Sequence, residues 1–299
     1  MIIERSIKMP RDIAVLINTR DRPTELAMLL QSLRTQTNQD FDIFILDDCS
    51  GTPVNTYNFF NCIANRLKLE GHHIFMRKTD FPNGVSRARQ AIVDWALEGD
   101  YKYFVRVDDD VVLEDSFIEL LFDVIDEGYD IASGVTPPMA APMIERDDRY
   151  ICGGIVNRVI LDKDGNFIHN GDDCGTLYLD SSKSLPAHHF RSSAMMTRDV
   201  MKKIKYYPTK LTKHGYREEE IFSFKALMKG FKIGVDLQAI AWHQLTPSGG
   251  ERFAESQELS QQNAQVLTEF TKENKDKLIK LFPTEPKPKK ELMKSTNLI

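Results

Sequence analysis

The chain has 299 residues, 41% of them hydrophobic and 28% charged, with 16 Gly and 13 Pro. Collagen-like, low-complexity and wholly disordered chains are excluded, and one large α/β domain with or without an appendage fits. Thirty-nine Lys plus Arg against 44 Asp plus Glu leave a net charge of -5, which argues against a protein held on nucleic acid mainly by charge.

Met1 to Asp12 carries charges among its apolar residues and lacks the apolar run of a signal peptide. Ile13-Ala14-Val15-Leu16-Ile17 is a continuous apolar run, the pattern of a strand buried on both faces of a parallel sheet. After the polar stretch Asn18 to Asp21, Pro23 opens a helix, and Leu26, Leu29, Leu30 and Leu33 give it one apolar face. Ile43-Phe44-Ile45-Leu46 is a second strand that runs into Asp47-Asp48-Cys49-Ser50-Gly51, and His73 to Met76 is a third. Ala88, Ala91, Ile92 and Trp95 mark the inner face of the next helix. Tyr103 to Val107 is a fourth strand, ending in Asp108-Asp109-Asp110. Strands interleaved with helices at this spacing predict βαβ units and a mostly parallel sheet. The clusters at Asn18 to Asp21, Asp47 to Gly51 and Asp108 to Asp110 each follow a strand. Open parallel sheets bind ligands at that end, so the polar clusters converge on one rim.

The second half is less regular. From about Pro137 to Pro186, Gly153-Gly154, Asp164-Gly165 and Gly171 predict hairpins and loops. Val200 to Ile204 reads as a short helix. Glu218 to Lys229 reads as another, with Ile221, Phe224, Ala226 and Leu227 on its apolar side and Gly230 as its stop. Phe231 to Trp242 is a strand. Glu251 to Phe282 is a long polar helix with sparse apolar contacts at Leu259, Val266, Leu267 and Phe270, and the tail 283–299 is disordered. No stretch reaches the ~18 apolar residues that span a bilayer. The expectation is a cytoplasmic, soluble chain with at most peripheral membrane contact. Cys49, Cys62, Cys152 and Cys174 form no C-x-x-C pair and read as reduced thiols, not as a disulfide scaffold or a zinc site.

Asp108-Asp109-Asp110 is the strongest chemical signal. Adjacent carboxylates repel one another unless a cation neutralises them, and hard Mg²⁺ or Mn²⁺ takes carboxylate oxygen while leaving positions for phosphate. A solvated acidic turn, or an acidic cap on a helix spanning Leu113 to Glu127, competes for the same residues.

Taken in order, Asn18-Thr19-Arg20-Asp21-Arg22-Pro23, Asp47-Asp48-Cys49-Ser50, Asn83-Gly84 with Arg87 and Arg89, and Asp108-Asp109-Asp110 resemble the family 2 glycosyltransferases. The resemblance continues through His214 to Glu220, Lys229 to Ile233 and Ala241-Trp242-His243, and covers roughly residues 12 to 245. It implies the GT-A fold: a Rossmann-like, mostly parallel central sheet with helices on both faces, here with a C-terminal helical extension. The domain then spans 1–250, with a nucleotide-binding half at 12–135 and an acceptor-binding half at 136–250, followed by the helix at 251–282.

The resemblance also implies an inverting, metal-dependent transfer of a sugar from a nucleoside diphosphate, UDP by family habit, to a glycan, lipid-linked or other acceptor hydroxyl. Mn²⁺ or Mg²⁺ is the implied cofactor. Thr19 and Arg20 match positions that contact the nucleotide, and Asp47 and Asp48 match the acidic motif that meets the nucleobase. Arg89 matches an arginine of the donor site, with Arg87 competing for the role and Gln90 standing where the family has Asn. Asp108 and Asp110 fill the outer positions of D-x-D, with Asp109 between them. Asp110 is the favoured metal ligand and His243 a further one. Glu219 falls on the general base, where Glu replaces the family's Asp, so Glu218 and Glu220 compete with it. A base is needed because the acceptor hydroxyl loses a proton as it attacks. Ser192 and Ser193 lie where the resemblance puts contacts to donor sugar or acceptor, with packing as the competing role. The segment Thr246 to Arg252 is placed to close over the donor. A second metal site at His188, His189 and Cys174 has no chelating spacing behind it.

Three other readings compete. Nucleotidyl transfer normally needs a Gly-rich loop after the first strand, and Asn18 to Pro23 has no glycine. A nucleotide-sugar or glycan-binding protein without catalysis would not need both the Asp cluster and the Glu triplet. A transferase acting on modified nucleic acid bases fits the acidic net charge poorly. The acceptor, the donor sugar and any oligomer remain open at this level.

Overall fold

The apolar runs of the first half become the strands of one sheet, because a parallel strand with helices on both sides has no solvent face. The computed structural model describes residues 11–140, 143–146, 149–152, 159–169, 184–206, 210–246 and 256–282. In chain order the first half runs β1 (Ile13–Thr19), α1 (Pro23–Arg34), β2 (Phe41–Asp47), a 3₁₀ turn (Val54–Thr56), α2 (Asn58–Leu69), β3 (Ile74–Lys78), α3 (Val85–Ala96) and β4 (Tyr103–Asp108). Then come β5 (Val111–Leu113), α4 (Phe117–Asp126), β6 (Ile131–Val135), the hairpin β7 (Met143–Arg146) and β8 (Arg149–Cys152), and the hairpin β9 (Ile160–Leu161) and β10 (Phe167–His169). The chain continues through β11 (Leu185–Ala187), β12 (Ala194–Thr197), α5 (Arg198–Lys203), α6 (Glu218–Met228), β13 (Ile233–His243), α7 (Ser256–Glu273) and α8 (Lys275–Leu278).

The main sheet has the order β11-β13-β6-β12-β4-β1-β2-β3, with β5 on the far end of β13. β1 is parallel to both β2 and β4, and its register aligns Thr19 with Asp47 and Asn18 with Asp108. The polar strand ends therefore share a rim. β12 runs antiparallel between β4 and β6, whereas β13 is parallel to β6. Alternate residues of β1 feed two cores: Ala14 and Leu16 pack on the α3 side, and Ile13, Val15 and Ile17 pack with Leu26, Leu29, Leu30 and Leu33 of α1.

Three expectations are corrected. Ala91 faces solvent, and the buried stripe of α3 is Ala88, Ile92, Val93 and Ala96. A lone alanine carries too little apolar area to fix a helix face. The acidic cluster is not a helix cap, because β5 follows it and the helix begins only at Phe117. The long C-terminal helix breaks at Asn274, whose side-chain amide donates to Phe270 O at 2.9 Å and closes α7 before α8 starts. Leu267, Leu278 and Phe282 then pack on Ile221 and Phe224 of α6, while Phe222 and Ala226 of the same helix face the sheet. Covered on both sides, α6 is far more buried than a one-faced amphipathic helix. Gly153-Gly154, Gly171, Cys174, residues 247–252 and the tail 283–299 lie outside the described residues. Among the described residues, no helix is long and apolar enough to cross a membrane.

Candidate active site

The strand ends open onto a cavity of about 560 Å³, lined from β1 and its following loop, β4, the start of α3, the start of α6 and the end of β13. Thr19 donates through Oγ1 to Asp109 Oδ2 at 2.8 Å, and Arg22 donates to Asp109 Oδ1 at 2.9 Å. The first loop thus holds the middle aspartate in place. Burial pushes the Asp109 carboxyl up to about 6, opposed by Arg22 and reinforced by Asp110. Arg20 also lines the cavity, with Nε 3.8 Å from Asp21.

Asp110 is wholly buried, 3.1 Å from Arg22 Nη1 and 3.2 Å from His243 Nε2. Backbone pairing explains the second distance. β5 runs antiparallel to β13 with Val111 opposite His243, and Gln244 N donates to Asp110 O at 2.9 Å. Two positions far apart in the chain are thereby fixed as neighbours. An oxygen and an imidazole nitrogen 3.2 Å apart match adjacent ligands of an octahedral Mg²⁺ or Mn²⁺, which lie about 3 Å apart for bonds of 2.0–2.1 Å. No group of three His, Cys, Asp or Glu side chains able to hold a metal gathers among the described residues. A cation here would therefore take its remaining positions from phosphate oxygens and water, as Mg²⁺ commonly does.

Asp108 is turned elsewhere. Its Oδ1 meets Arg89 Nη2 at 2.7 Å and Arg106 Nη2 at 3.6 Å, and its Oδ2 accepts from Ser192 Oγ at 2.8 Å. Burial alone would raise its pKa, but Arg89 and Arg106, helped by the Ser192 hydroxyl, hold it down at about 2. The structure does not bring Asp108 into the pair formed by Asp110 and His243.

The second strand end serves the loops. Asp47 is wholly buried, accepts from the amides of Ser50 at 2.8 Å and Val54 at 3.3 Å, and is not on the cavity wall. Asp48 is on the wall, yet its oxygens accept from Asn83 N, Asn83 Nδ2, Gly84 N and Thr79 Oγ1 at 2.8–3.1 Å. It ties β2 to the loop entering α3. Gly84 there has φ 77°, and a Cβ would meet Lys213 Cα at 2.7 Å. Gly215 has φ 69°, and a Cβ would meet Val85 Cβ at 2.5 Å. These close approaches seat His214, Tyr216 and Arg217 on the cavity wall. Arg87 lies on the exposed side of α3, outside the wall.

At the foot of α6, Arg89 and Arg106 face Asp108, Glu218 and Glu219. Arg89 Nη1 pairs with Glu218 and lies 3.4 Å from Glu219 Oε1. Arg106 Nη2 pairs with Glu219 Oε1, which also accepts from Ser192 N at 3.0 Å. Glu219 Oε2 meets no donor among the described residues, and the side chain is 21% exposed against 4% for Glu218. Glu220 pairs with Arg217, away from this group, and His189 beside it is fully buried. His188 packs at a tilt against Phe282, ring centroids 4.5 Å apart, and accepts from Val159 N, so it has a packing role here.

Two contributors were not singled out from the sequence: Arg22 and Arg106. Arg106 left a signal, since it is a charged residue inside the apolar run Tyr-Phe-Val-Arg-Val and two positions before Asp108, hence on the same strand face.

Residues 14–139 match the family model Glycosyl transferase family 2. No curated protein matches the sequence. Crystal structures of S. aureus TarS share the fold. The form spanning 1-349 aligns with a TM-score of 0.52 at 15% identity, over 79% of this chain and 61% of that one. The same form in complex with UDP-GlcNAc aligns with a TM-score of 0.52 at 14% identity, over 81% and 60%. The longer TarS structure gives a TM-score of 0.52 at 14% identity, over 91% and 44%. The chain thus spans less than two thirds of the length of the first two of these structures. Motif order and the family match agree over residues 14–139, which are similar to glycosyltransferase family 2, and the sheet topology is a fold shared with TarS.

Proposed function

We propose that the cavity binds a sugar nucleotide together with a divalent cation and transfers the sugar, with inversion, to an acceptor hydroxyl. The observation that carries this reading is the Asp110–His243 pair, 3.2 Å apart, on the same cavity wall as Glu219. Asp110 and His243 would hold the cation. When bound, it offsets the negative charge that grows on the departing diphosphate. Thr19 and Arg20 edge the nucleotide end. Arg22, shared by Asp109 and Asp110, keeps the two adjacent carboxylates compatible.

Glu219 takes the proton of the acceptor hydroxyl as its oxygen forms a bond to C1 and the bond from C1 to the diphosphate oxygen breaks. Among Glu218, Glu219 and Glu220, Glu219 has the most open side chain, and its Oε2 meets no donor among the described residues. UDP is the first nucleotide to test, since TarS has been crystallised with UDP and with UDP-GlcNAc.

The test is nucleotide release from a panel of UDP-, GDP-, CMP- and dTDP-sugars in Mn²⁺, in Mg²⁺ and in EDTA. The expected result is turnover of a UDP-sugar that EDTA abolishes and Mn²⁺ restores. Tight binding with no turnover would point instead to a nucleotide-sugar-binding protein, and turnover indifferent to EDTA would remove the cation from the reading.

A further inference from the structure

Arg106 sits mid-strand in β4, 3% exposed, between the apolar residues Val105 and Val107. A cation at that depth is costly to desolvate, and it persists only where partners wait for it. Three carboxylates do so: Glu219 against Nη2, Glu218 at 3.4 Å from Nη1, and Asp108 at 3.6 Å from Nη2. The rings of Phe190 and Tyr206, 5.3 and 5.9 Å from Cζ, confine the guanidinium. Its backbone is fixed on both sides, by Leu16 of β1 and Ala194 of β12. A guanidinium remains charged throughout the physiological pH range and cannot serve as the base. What it can do is hold another group from a rigid strand.

The group it holds is Glu219. Arg106, the Ser192 amide and the more distant Arg89 all approach the same oxygen, Oε1. Donors converging on one oxygen fix the plane of a carboxylate and leave the lone pairs of the other in a set direction. We propose that Arg106 is a positioning residue for Glu219, gripping Oε1 from β4 so that Oε2 is aimed at the acceptor hydroxyl. This rests on the reading of Glu219 as the base.

The test is a two-by-two set, parent, R106K, E219Q and the double variant, assayed by nucleotide release with whichever sugar nucleotide the panel shows to be turned over fastest. Lysine keeps the charge and loses the planar fork. R106K should lower kcat about tenfold or more, because misplacing a reacting group by about 1 Å costs up to about 100-fold. Donor KM should stay within about threefold. In the E219Q background R106K should cost nothing further, since residues acting as one unit are not additive. If R106K melts below the assay temperature, R106Q, which keeps an amide donor, is judged by the same criteria. A kcat within twofold of the parent overturns the inference. So does an equal loss in both backgrounds, or a change confined to donor KM. E219Q running at the parental rate would instead remove the base reading itself.

Discussion

Ser192 donates its amide to Glu219 Oε1 at 3.0 Å from a left-handed backbone with φ 54°. Its hydroxyl donates to Asp108 Oδ2 at 2.8 Å. One residue therefore joins the acidic strand end to the helix that carries the glutamates. A non-glycine residue in this region costs on the order of 1–3 kcal/mol and persists where its surroundings over-determine it. Arg217, immediately before α6, is also left-handed with φ 76°, so both backbone segments flanking Glu219 are held in unusual conformations.

The Asp110–His243 pair should carry the response to cation. D110N and H243A are each expected to lower Mn²⁺-stimulated nucleotide release about 100-fold or more, given the several kcal/mol a cation supplies to a developing negative charge. Calorimetric titration with UDP should show weaker binding than in the parent when Mn²⁺ is present and the same binding when it is not. Full Mn²⁺ stimulation in both variants would contradict the assignment.

Glu219 and its neighbour should separate cleanly. E219Q is expected to lower kcat about 10²- to 10⁴-fold with donor KM little changed, the range for loss of a general base. E218A should act on stability, by about 3–5 kcal/mol, because Arg89 and Arg106 would lose a buried partner. Urea denaturation of both proteins beside their turnover rates checks the contrast, which fails if E218A is as stable as the parent.

Asp47 should prove structural. D47A strands the amides of Ser50 and Val54, and each buried unsatisfied donor costs about 1–3 kcal/mol. The midpoint of urea unfolding should fall while kcat of the folded enzyme stays within about twofold, because Asp47 is off the cavity wall. A large fall in kcat at unchanged stability would return Asp47 to the nucleotide site.

Gly215 should resist any side chain. G215A meets both a φ of 69° and a contact with Val85 Cβ, and is expected to cost about 1–3 kcal/mol. Because its loop seats His214, Tyr216 and Arg217 on the cavity, donor KM should rise as well. Thermal melting and donor titration measure the two effects. An alanine tolerated in both would show that this wall yields.

The sequence by itself determined the alternation from β1 to β4, because a strand buried on both faces is written as an unbroken apolar run and a helix as a 3.6-residue repeat. It determined the polar rim for the same reason: Asn18, Asp47 and Asp108 each stand where an apolar run ends. It also marked the end of α6, where Gly230 adopts φ 89°. Tertiary structure decided what depends on closure of the chain. Pairing of β5 with β13 sets His243 beside Asp110, and no local pattern records that register. Covering α6 on two sides leaves Glu219 more exposed than Glu218 and Glu220, since exposure of one carboxylate depends on elements that pack from elsewhere. Arg106 reads locally as an interruption of a strand. Its partners, Glu218 and Glu219, become visible only when the helix that carries them folds back across the rim, because a buried charge is stabilised by what surrounds it in space.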